Sequence, residues 1–203
     1  MKIKICGIKR TEDIETLNKL KPDYVGFVFA KSKRQIDKNL ASKLRSLLDT
    51  KIKTVGVFVD ADSKEIDELI DEKIIDSVQF HGHESESEIV CIKNKHPNTI
   101  VFKAVSVKSI KDILEWKDSK ADFLLLDNGA GGTGEQFDWE ILKEIKNLKK
   151  DFFIAGGLNP DNVKNVLNYK AIGVDVSGGV ETDSVKDKEK IKKFIKNVRE
   201  YND

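Results

Sequence analysis

The chain has 203 residues, of which 39% are hydrophobic and 35% charged, and its net charge is +1. This length suits one domain with a sizeable core, and the interspersed charges exclude the one-sided basic surface that nucleic-acid binding requires. No apolar run is long enough to cross a membrane, and the chain begins with a strand pattern instead of a signal peptide. We therefore expect a cytoplasmic protein that binds neither membrane nor nucleic acid.

Apolar, β-rich runs alternate with amphipathic helical patterns along the whole chain. Thr11 is the predicted N-cap of the first helix, and Asn159 and Pro160 are the predicted N-cap and first residue of another. The predicted strands are 2–6, 24–29, 54–59, 77–80, 99–104, 122–127, 152–155 and 172–176. Predicted helices cover 11–20, 37–48, 85–95, 107–116, 138–148 and 187–201, and two more begin near Ser63 and Pro160.

The strands are continuous apolar runs, as is typical where helices cover both faces of a sheet. Eight strand–helix units with short connections predict an α/β fold, a single (β/α)₈ TIM barrel with eight parallel strands, spanning residues 1–203 as one domain. A doubly wound open sheet is the alternative. It usually has fewer strands, and the turn after the first strand here lacks the G-x-G-x-x-G pattern.

The cysteines, Cys6 and Cys91, fit neither a metal spacing nor a disulfide framework, and we expect no cofactor and no metal. Cys91 lies in an apolar helical stretch and is predicted to be inert packing. Cys6 is the last residue of the first strand. Strand context alone favours a buried packing role for it, because free cysteine is among the most buried residue types.

The position of Cys6 becomes more informative in a barrel, where active sites form from the loops at the carboxyl ends of the strands. That rule selects residues at the carboxyl ends of the first, second, fourth, sixth, seventh and eighth strands or in the loops that follow them. The candidates are Cys6, Arg34, His81, Asp127, Gly156, Gly157, Ser177 and Gly178.

Glycine pairs follow the last two strands, where barrels often bind a phosphate through backbone N–H groups. Glycine lets the backbone approach an anion closely, although each pair alone could simply form a tight turn. Two pairs on neighbouring strands favour a phosphate site. The loop 128–136 is glycine-rich and is interpreted either as a cover over a ligand or as a surface excursion.

Asp127 ends a strand that otherwise reads Phe-Leu-Leu-Leu, where a carboxylate is costly unless it is paired or functional. Burial would raise its pKa and favour a protonated form that can donate a proton; the alternative is a cap on the following loop. A thiol, a carboxyl group and a phosphate site predict proton transfer on a sugar phosphate, with Cys6 as base and Asp127 as acid. His81 is either a wall of the site or a structural contact, and Arg34 is either solvated or a partner for an anionic substrate group.

The motifs, in their order, resemble those of the phosphoribosylanthranilate isomerase family. They are Lys4-Ile5-Cys6-Gly7-Ile8, Gln79-Phe80-His81-Gly82, Leu125-Leu126-Asp127, Gly131-Gly132-Thr133-Gly134, Phe137-Asp138-Trp139, Gly156-Gly157-Leu158-Asn159-Pro160 and Val174-Asp175-Val176-Ser177.

The resemblance implies an Amadori rearrangement of N-(5-phosphoribosyl)anthranilate in tryptophan biosynthesis. It implies that Asp127 protonates the furanose oxygen, that Cys6 removes the C2′ proton, and that Arg34 contacts the anthranilate part. The phosphate would be held by backbone amides near Gly156, Gly157, Ser177 and Gly178. The expected partner is thus a small phosphorylated substrate, and the expected assembly is a monomer or homodimer.

Two features depart from the family pattern. Gly178 stands where the family usually has a second serine, and the loop before Arg34 is short and lacks a proline. The first change removes a possible hydroxyl contact to phosphate, and the second affects anthranilate binding. Two other interpretations stay open. One is the histidine-pathway isomerase, which resembles two fused half-barrels and has an aspartate in place of Cys6; the other is a barrel that only binds phosphorylated ligands.

Overall fold

Eight parallel strands close into a barrel in chain order, and β8 pairs with β1. The structure, a computed structural model, describes residues 1–129, 137–145 and 148–201. The predicted (β/α)₈ barrel is therefore confirmed. The strands are β1 Lys2–Cys6, β2 Tyr24–Val28, β3 Lys53–Phe58, β4 Ser77–Phe80, β5 Ile100–Ser106, β6 Phe123–Asp127, β7 Phe152–Ile154 and β8 Gly173–Val176.

Helices follow the first five strands and the last one. They are α1 Thr11–Leu20, α2 Lys38–Leu47, α3 Ser63–Asp71, α4 Glu86–Lys95, α5 Ile110–Glu115 and α6 Lys188–Arg199. An antiparallel pair, β9 Glu181–Thr182 and β10 Val185–Lys186, lies between β8 and α6. None of the helices in the described part of the chain has both the length and the apolarity to span a bilayer.

Two predicted α-helices are instead short 3₁₀ helices, at Trp139–Lys143 and Val163–Val166. Residues 146–147 of the first prediction lie outside the described residues. In the second, Asn159 Oδ1 accepts hydrogen bonds from the backbone N–H groups of Asp161 and Asn162, while Asn162 Nδ2 donates to the Gly157 carbonyl. Such local side-chain bonds compete with regular helix formation, so Asn159 caps a turn and not an α-helix.

Two local predictions on the helices are wrong. Thr11 is the first residue of α1 and not its N-cap, because Arg10 holds the extended N-cap conformation. Cys91 is exposed on α4, whose buried residues are Ile89 and Ile92. An apolar helical stretch therefore does not by itself determine which residue faces the core.

The alternation along the strands separates two apolar regions. Residues such as Ile3 and Ile5 pack outward against the helices. Inside the barrel, the amino-terminal half is filled by a second cluster, in which Tyr24, Phe102 and Phe153 contact each other edge to face. The buried polar side chains of Gln79, Asp127 and Asp175 lie nearer the carboxyl ends of the strands, where the active site of a barrel is expected.

Candidate active site

Two neighbouring cavities open at the carboxyl ends of the strands, and together they contain all eight residues predicted from the sequence. The first is lined by Cys6, Arg34, His81, Asp127 and Ser177, and the second by Asp127, Ser177, Gly156, Gly157 and Gly178. Asp127 and Ser177 belong to both. The structure thus brings the thiol, the carboxyl group and the glycine turns to one end of the barrel.

Cys6 ends β1 and is 8% exposed. Its backbone pairs with Gly26 of β2, and its carbonyl accepts a hydrogen bond from Ser177 Oγ at 3.2 Å. Burial raises the pKa of the Cys6 thiol, while the positive charges of Lys4 and Lys186 oppose that rise. The thiol therefore needs nearby cations, or the substrate, to become a base near neutral pH.

Gly26 leaves the room that the Cys6 side chain occupies. A Cβ atom on Gly26 would lie 2.7 Å from Cys6 Sγ and 3.1 Å from Cys6 Cα. If Cys6 is the base predicted from the sequence, Gly26→Ala should lower kcat by about tenfold or more by displacing the thiol, since small misplacements of a reacting group are costly. Steady-state kinetics beside a thermal melt would check this. Unchanged kcat in a folded variant would show that the close approach has no role in placing Cys6.

A buried ion pair lies deeper in the barrel, below Cys6. Lys4 of β1 faces Asp175 of β8 in register, and Lys4 Nζ donates to Asp175 Oδ1 at 3.0 Å. The Lys4 side chain is 0% exposed and that of Asp175 is 9% exposed. The sequence analysis did not identify this pair. The signal available in the sequence was a lysine in the middle of a strand. In a closed barrel that is covered by helices, both faces of a strand are buried, so such a lysine needs a buried partner.

Asp127 ends β6 and lies near His81, with His81 Nε2 3.5 Å from Asp127 Oδ2. Burial raises the pKa of the Asp127 carboxyl group, an effect that His81 and a hydrogen bond from the Asn128 N–H oppose. Burial also lowers the pKa of His81. His81 is thus neutral near pH 7, and Asp127 is more readily protonated than an exposed aspartate.

Gln79 orients the imidazole ring of His81. Gln79 Nε2 donates to His81 Nδ1 at 2.8 Å, which places the imidazole proton on Nε2, the nitrogen that faces Asp127. His81 therefore makes structural polar contacts and also forms part of the cavity wall. Both roles predicted from the sequence apply to it. Gln79 is buried, and in the sequence only its place in the Gln79-Phe80-His81-Gly82 motif pointed to it.

Arg34 is held in a charged cluster and is not a solvated residue. Its Nε and Nη2 atoms each lie 2.7 Å from a carboxylate oxygen of Glu181, and Lys186 Nζ lies 2.6 Å from the same carboxylate. The Arg34 side chain also crosses Gly7, where a Cβ atom would lie 2.4 Å from Arg34 Cδ. The cluster links the loop after β2 to the segment after β8. Sequence analysis missed Glu181 because nothing local pairs it with Arg34.

Glu181 should make stability depend on pH. Its burial opposes ionisation, but hydrogen bonds from Arg34 and Lys186 outweigh burial and lower the pKa of Glu181 from 4.5 to about 2. A lowered carboxyl pKa stabilises the fold fully above about pH 4.5, and this contribution declines as the pH falls toward 2. We expect Glu181→Gln to reduce the free energy of unfolding by about 2 kcal/mol at pH 7, because it leaves buried Lys186 and half-buried Arg34 without their anion.

Urea unfolding of both proteins between pH 3 and pH 7 would check the Glu181 prediction. The difference between wild type and variant should narrow below pH 4.5. A difference that stays constant across this range would contradict the assigned role of the carboxylate.

The second cavity has the backbone geometry expected of an anion site. Gly156 and Gly157 have φ of +74° and +64°, which side chains rarely adopt. A Cβ on Gly156 would also lie 2.8 Å from Asp127 Oδ1 and 3.0 Å from the Asn128 nitrogen. Ser177, Gly178 and Gly179 line the other wall. Most of the predicted covering loop, residues 130–136 with the motif Gly131-Gly132-Thr133-Gly134, lies outside the described residues.

Comparisons with known proteins point to one family. The family model described as N-(5′-phosphoribosyl)anthranilate isomerase matches residues 3–197. A protein of that name from Clostridium acetobutylicum is 48% identical, with 99% of each chain covered. The crystal structure of phosphoribosyl anthranilate isomerase from Thermus thermophilus superposes with a TM-score of 0.90 at 30% identity, covering 99% of this chain and 100% of that one.

A further solved structure adds a ligand to the comparison. It is phosphoribosyl anthranilate isomerase in complex with reduced 1-(o-carboxyphenylamino)-1-deoxyribulose 5-phosphate. It superposes with a TM-score of 0.86 at 32% identity, covering 98% of this chain and 99% of that chain. The chain therefore belongs to the N-(5′-phosphoribosyl)anthranilate isomerase family.

Proposed function

We infer that this chain catalyses the isomerisation of N-(5′-phosphoribosyl)anthranilate to 1-(o-carboxyphenylamino)-1-deoxyribulose 5-phosphate, a step of tryptophan biosynthesis. Family membership over residues 3–197 supports the activity. The observation that carries the chemistry is the placement of one thiol and one protonatable carboxyl group at the same barrel mouth, beside a glycine-lined cavity.

Asp127 is assigned as the general acid and Cys6 as the general base. Protonated Asp127 gives its proton to the furanose ring oxygen as the bond from that oxygen to C1′ breaks, and the anilino nitrogen supplies electrons to form a Schiff base. The Cys6 thiolate then removes the proton from C2′, which yields an enolamine that tautomerises to the ketone. The raised pKa of Asp127 suits a donor, since a group near its pKa can both hold and release a proton.

Arg34 and an apolar wall are assigned to the anthranilate part of the substrate. Glu181 occupies Nε and Nη2 of Arg34. Nη1, which has no hydrogen-bond partner in the described part of the chain, is then the donor to the substrate carboxylate. The aromatic ring would lie against Val28, Ala30, Val57 and Val59, which line the same cavity. Glu181 would thus fix the direction from which Arg34 meets the carboxylate.

The phosphate is assigned to the second cavity, on the backbone of Gly156, Gly157, Ser177 and Gly178. The positive φ values of the first two glycines support a turn that exposes backbone to an anion. Gly178 offers no hydroxyl group, so the backbone carries the contact there. His81 would border the reacting carbons through its Nε2 proton. The cytoplasmic location and the monomer or homodimer state stay predictions.

The test is an assay of the purified protein with N-(5′-phosphoribosyl)anthranilate, followed by loss of anthranilate-type fluorescence against a buffer blank. We expect turnover without an added metal or cofactor. Product should be identified by mass and by its ketose carbonyl. Binding of substrate without turnover would favour the phosphate-binding barrel, and turnover only of the histidine-pathway substrate would favour the other Amadori isomerase.

A further inference from the structure

Packing alone does not explain why an ion pair, Lys4–Asp175, is buried inside the barrel. Burying two charges costs several kcal/mol per ion, and apolar side chains of similar volume often stabilise a core as well or better. The interior below this level is already filled by an apolar cluster of five large side chains and Ala155. The ion pair instead lies at the floor of the cavity, which Asp175 lines, on the strands that lead to Cys6 and Ser177.

We propose that Lys4 is a positioning residue that acts through Cys6: its ammonium group, held by Asp175, stabilises the Cys6 thiolate. Lys4 and Cys6 are two residues apart on β1, so both side chains point to the same side of the strand, into the barrel. The lysine side chain is long enough to reach from its own level toward the thiol. This role rests on the proposed function, which uses the thiolate as its base.

Several charged groups surround Cys6, and among the cations Lys4 has the largest effect on the pKa of the thiol. Lys4 lowers the pKa of the Cys6 thiol through its charge and a hydrogen bond, whereas Asp175 raises it. Lys186 and Arg34 also favour the thiolate, but both are bonded to Glu181. The remaining charged or titratable groups that line the cavity are Lys31, His81 and Asp127.

Asp175 has a separate effect that makes the proposal testable. Its carboxylate fixes Lys4 Nζ at 3.0 Å but repels a thiolate. Removing Lys4 and removing the charge of Asp175 should therefore move the thiol pKa in opposite directions, although each change breaks the same ion pair. A purely structural ion pair would not produce this difference in sign.

The experiment measures the rate of Cys6 alkylation by iodoacetamide as a function of pH in the ligand-free protein. The background is Cys91→Ser, because Cys91 is exposed and would also react. Lys4→Met should raise the thiol pKa by about one unit or more and slow alkylation about tenfold below that pKa. Asp175→Asn, which keeps an oxygen for Lys4, should lower the thiol pKa.

A matched control is available in another buried ion pair, Lys103–Glu84, whose atoms are 3.0 Å apart with side chains 3% and 1% exposed. Lys103→Met should destabilise the fold without moving the alkylation profile. If Lys4→Met does not fold, the double variant Lys4→Met/Asp175→Asn removes both charges and should still raise the thiol pKa. The proposal is overturned by unmoved profiles, or by shifts of the same sign in both single variants. Because alkylation needs no substrate, its result is independent of whether the isomerase assay succeeds.

Discussion

Replacing Asp127 with asparagine is expected to lower kcat by about 10²–10⁴-fold, the usual contribution of a positioned general acid. Asparagine keeps the size and one oxygen of the side chain, which can still accept the hydrogen bond from the Asn128 N–H. It cannot give a proton to the ring oxygen. The fold should be preserved, because the variant leaves no buried charge unpaired while His81 stays neutral.

Asp122→Asn is the matched control for Asp127→Asn. Asp122 lies just before the same strand but at its opposite end, where it accepts hydrogen bonds from Lys93 and from the Val101 N–H. Its replacement should reduce stability and leave kcat unchanged. Steady-state fluorescence kinetics and circular dichroism on both variants would check the assignment. A folded Asp127→Asn enzyme within tenfold of wild-type kcat would exclude Asp127 as the acid.

The barrel was predictable because hydrophobic pattern and strand order are local properties of the sequence. The strand positions differ from the prediction by at most two residues at their ends. The helices after β6 and β7 were not predictable by the same means. Both segments hold apolar residues at helical spacing, yet each forms only a short 3₁₀ helix. In the segment after β7, the bonds that Asn159 and Asn162 make to the backbone satisfy the chain locally.

The site was predictable where a general rule of barrels applies, and not where pairing is distant. Cys6 and Asp127 lie at strand ends, which that rule selects. Lys4 and Asp175 are 171 residues apart in the chain, and Arg34 and Glu181 are 147 apart. The alternation in Lys2-Ile3-Lys4-Ile5 would put lysines on a solvent face in an open sheet. Closure of the barrel places Lys4 inside instead, and only the register of β1 with β8 identifies its partner.

The structure also changes how the two proposed catalytic groups, Cys6 and Asp127, should titrate. Burial raises the pKa of the Cys6 thiol and that of the Asp127 carboxyl group above their usual values, and the usual pKa of a thiol is already far above that of a carboxyl group. The required pair, a protonated carboxyl with a thiolate, is then a minor form of the free enzyme. The fraction of enzyme in this form is constant at pH values between the two pKa values. It falls at pH values below the lower pKa and above the higher one. The acid limb of the kcat/KM profile is therefore expected to report the pKa of Asp127, and the alkaline limb the pKa of Cys6. This is the reverse of the usual assignment, in which the acid limb reports the base and the alkaline limb reports the acid.

Replacing Cys6 with serine should lower kcat/KM by about 10³-fold or more, because a hydroxyl group is a far weaker acid than a thiol and supplies almost no base. Serine fits the space beside Gly26 and preserves the strand end, so the loss would be chemical. The alkaline limb assigned to Cys6 should also disappear, while the acid limb assigned to Asp127 remains.

Cys91→Ser serves as the control for Cys6→Ser, since the exposed Cys91 lies on α4 and lines neither cavity of the proposed site. It should keep wild-type kinetics over the whole pH range. Measuring kcat/KM between pH 5 and pH 10 on the three proteins would separate the base from the acid. If Cys6→Ser kept more than a tenth of wild-type kcat/KM, or kept the alkaline limb, another group would have to remove the C2′ proton. Stabilisation of the Cys6 thiolate by Lys4 would then have no role in the reaction.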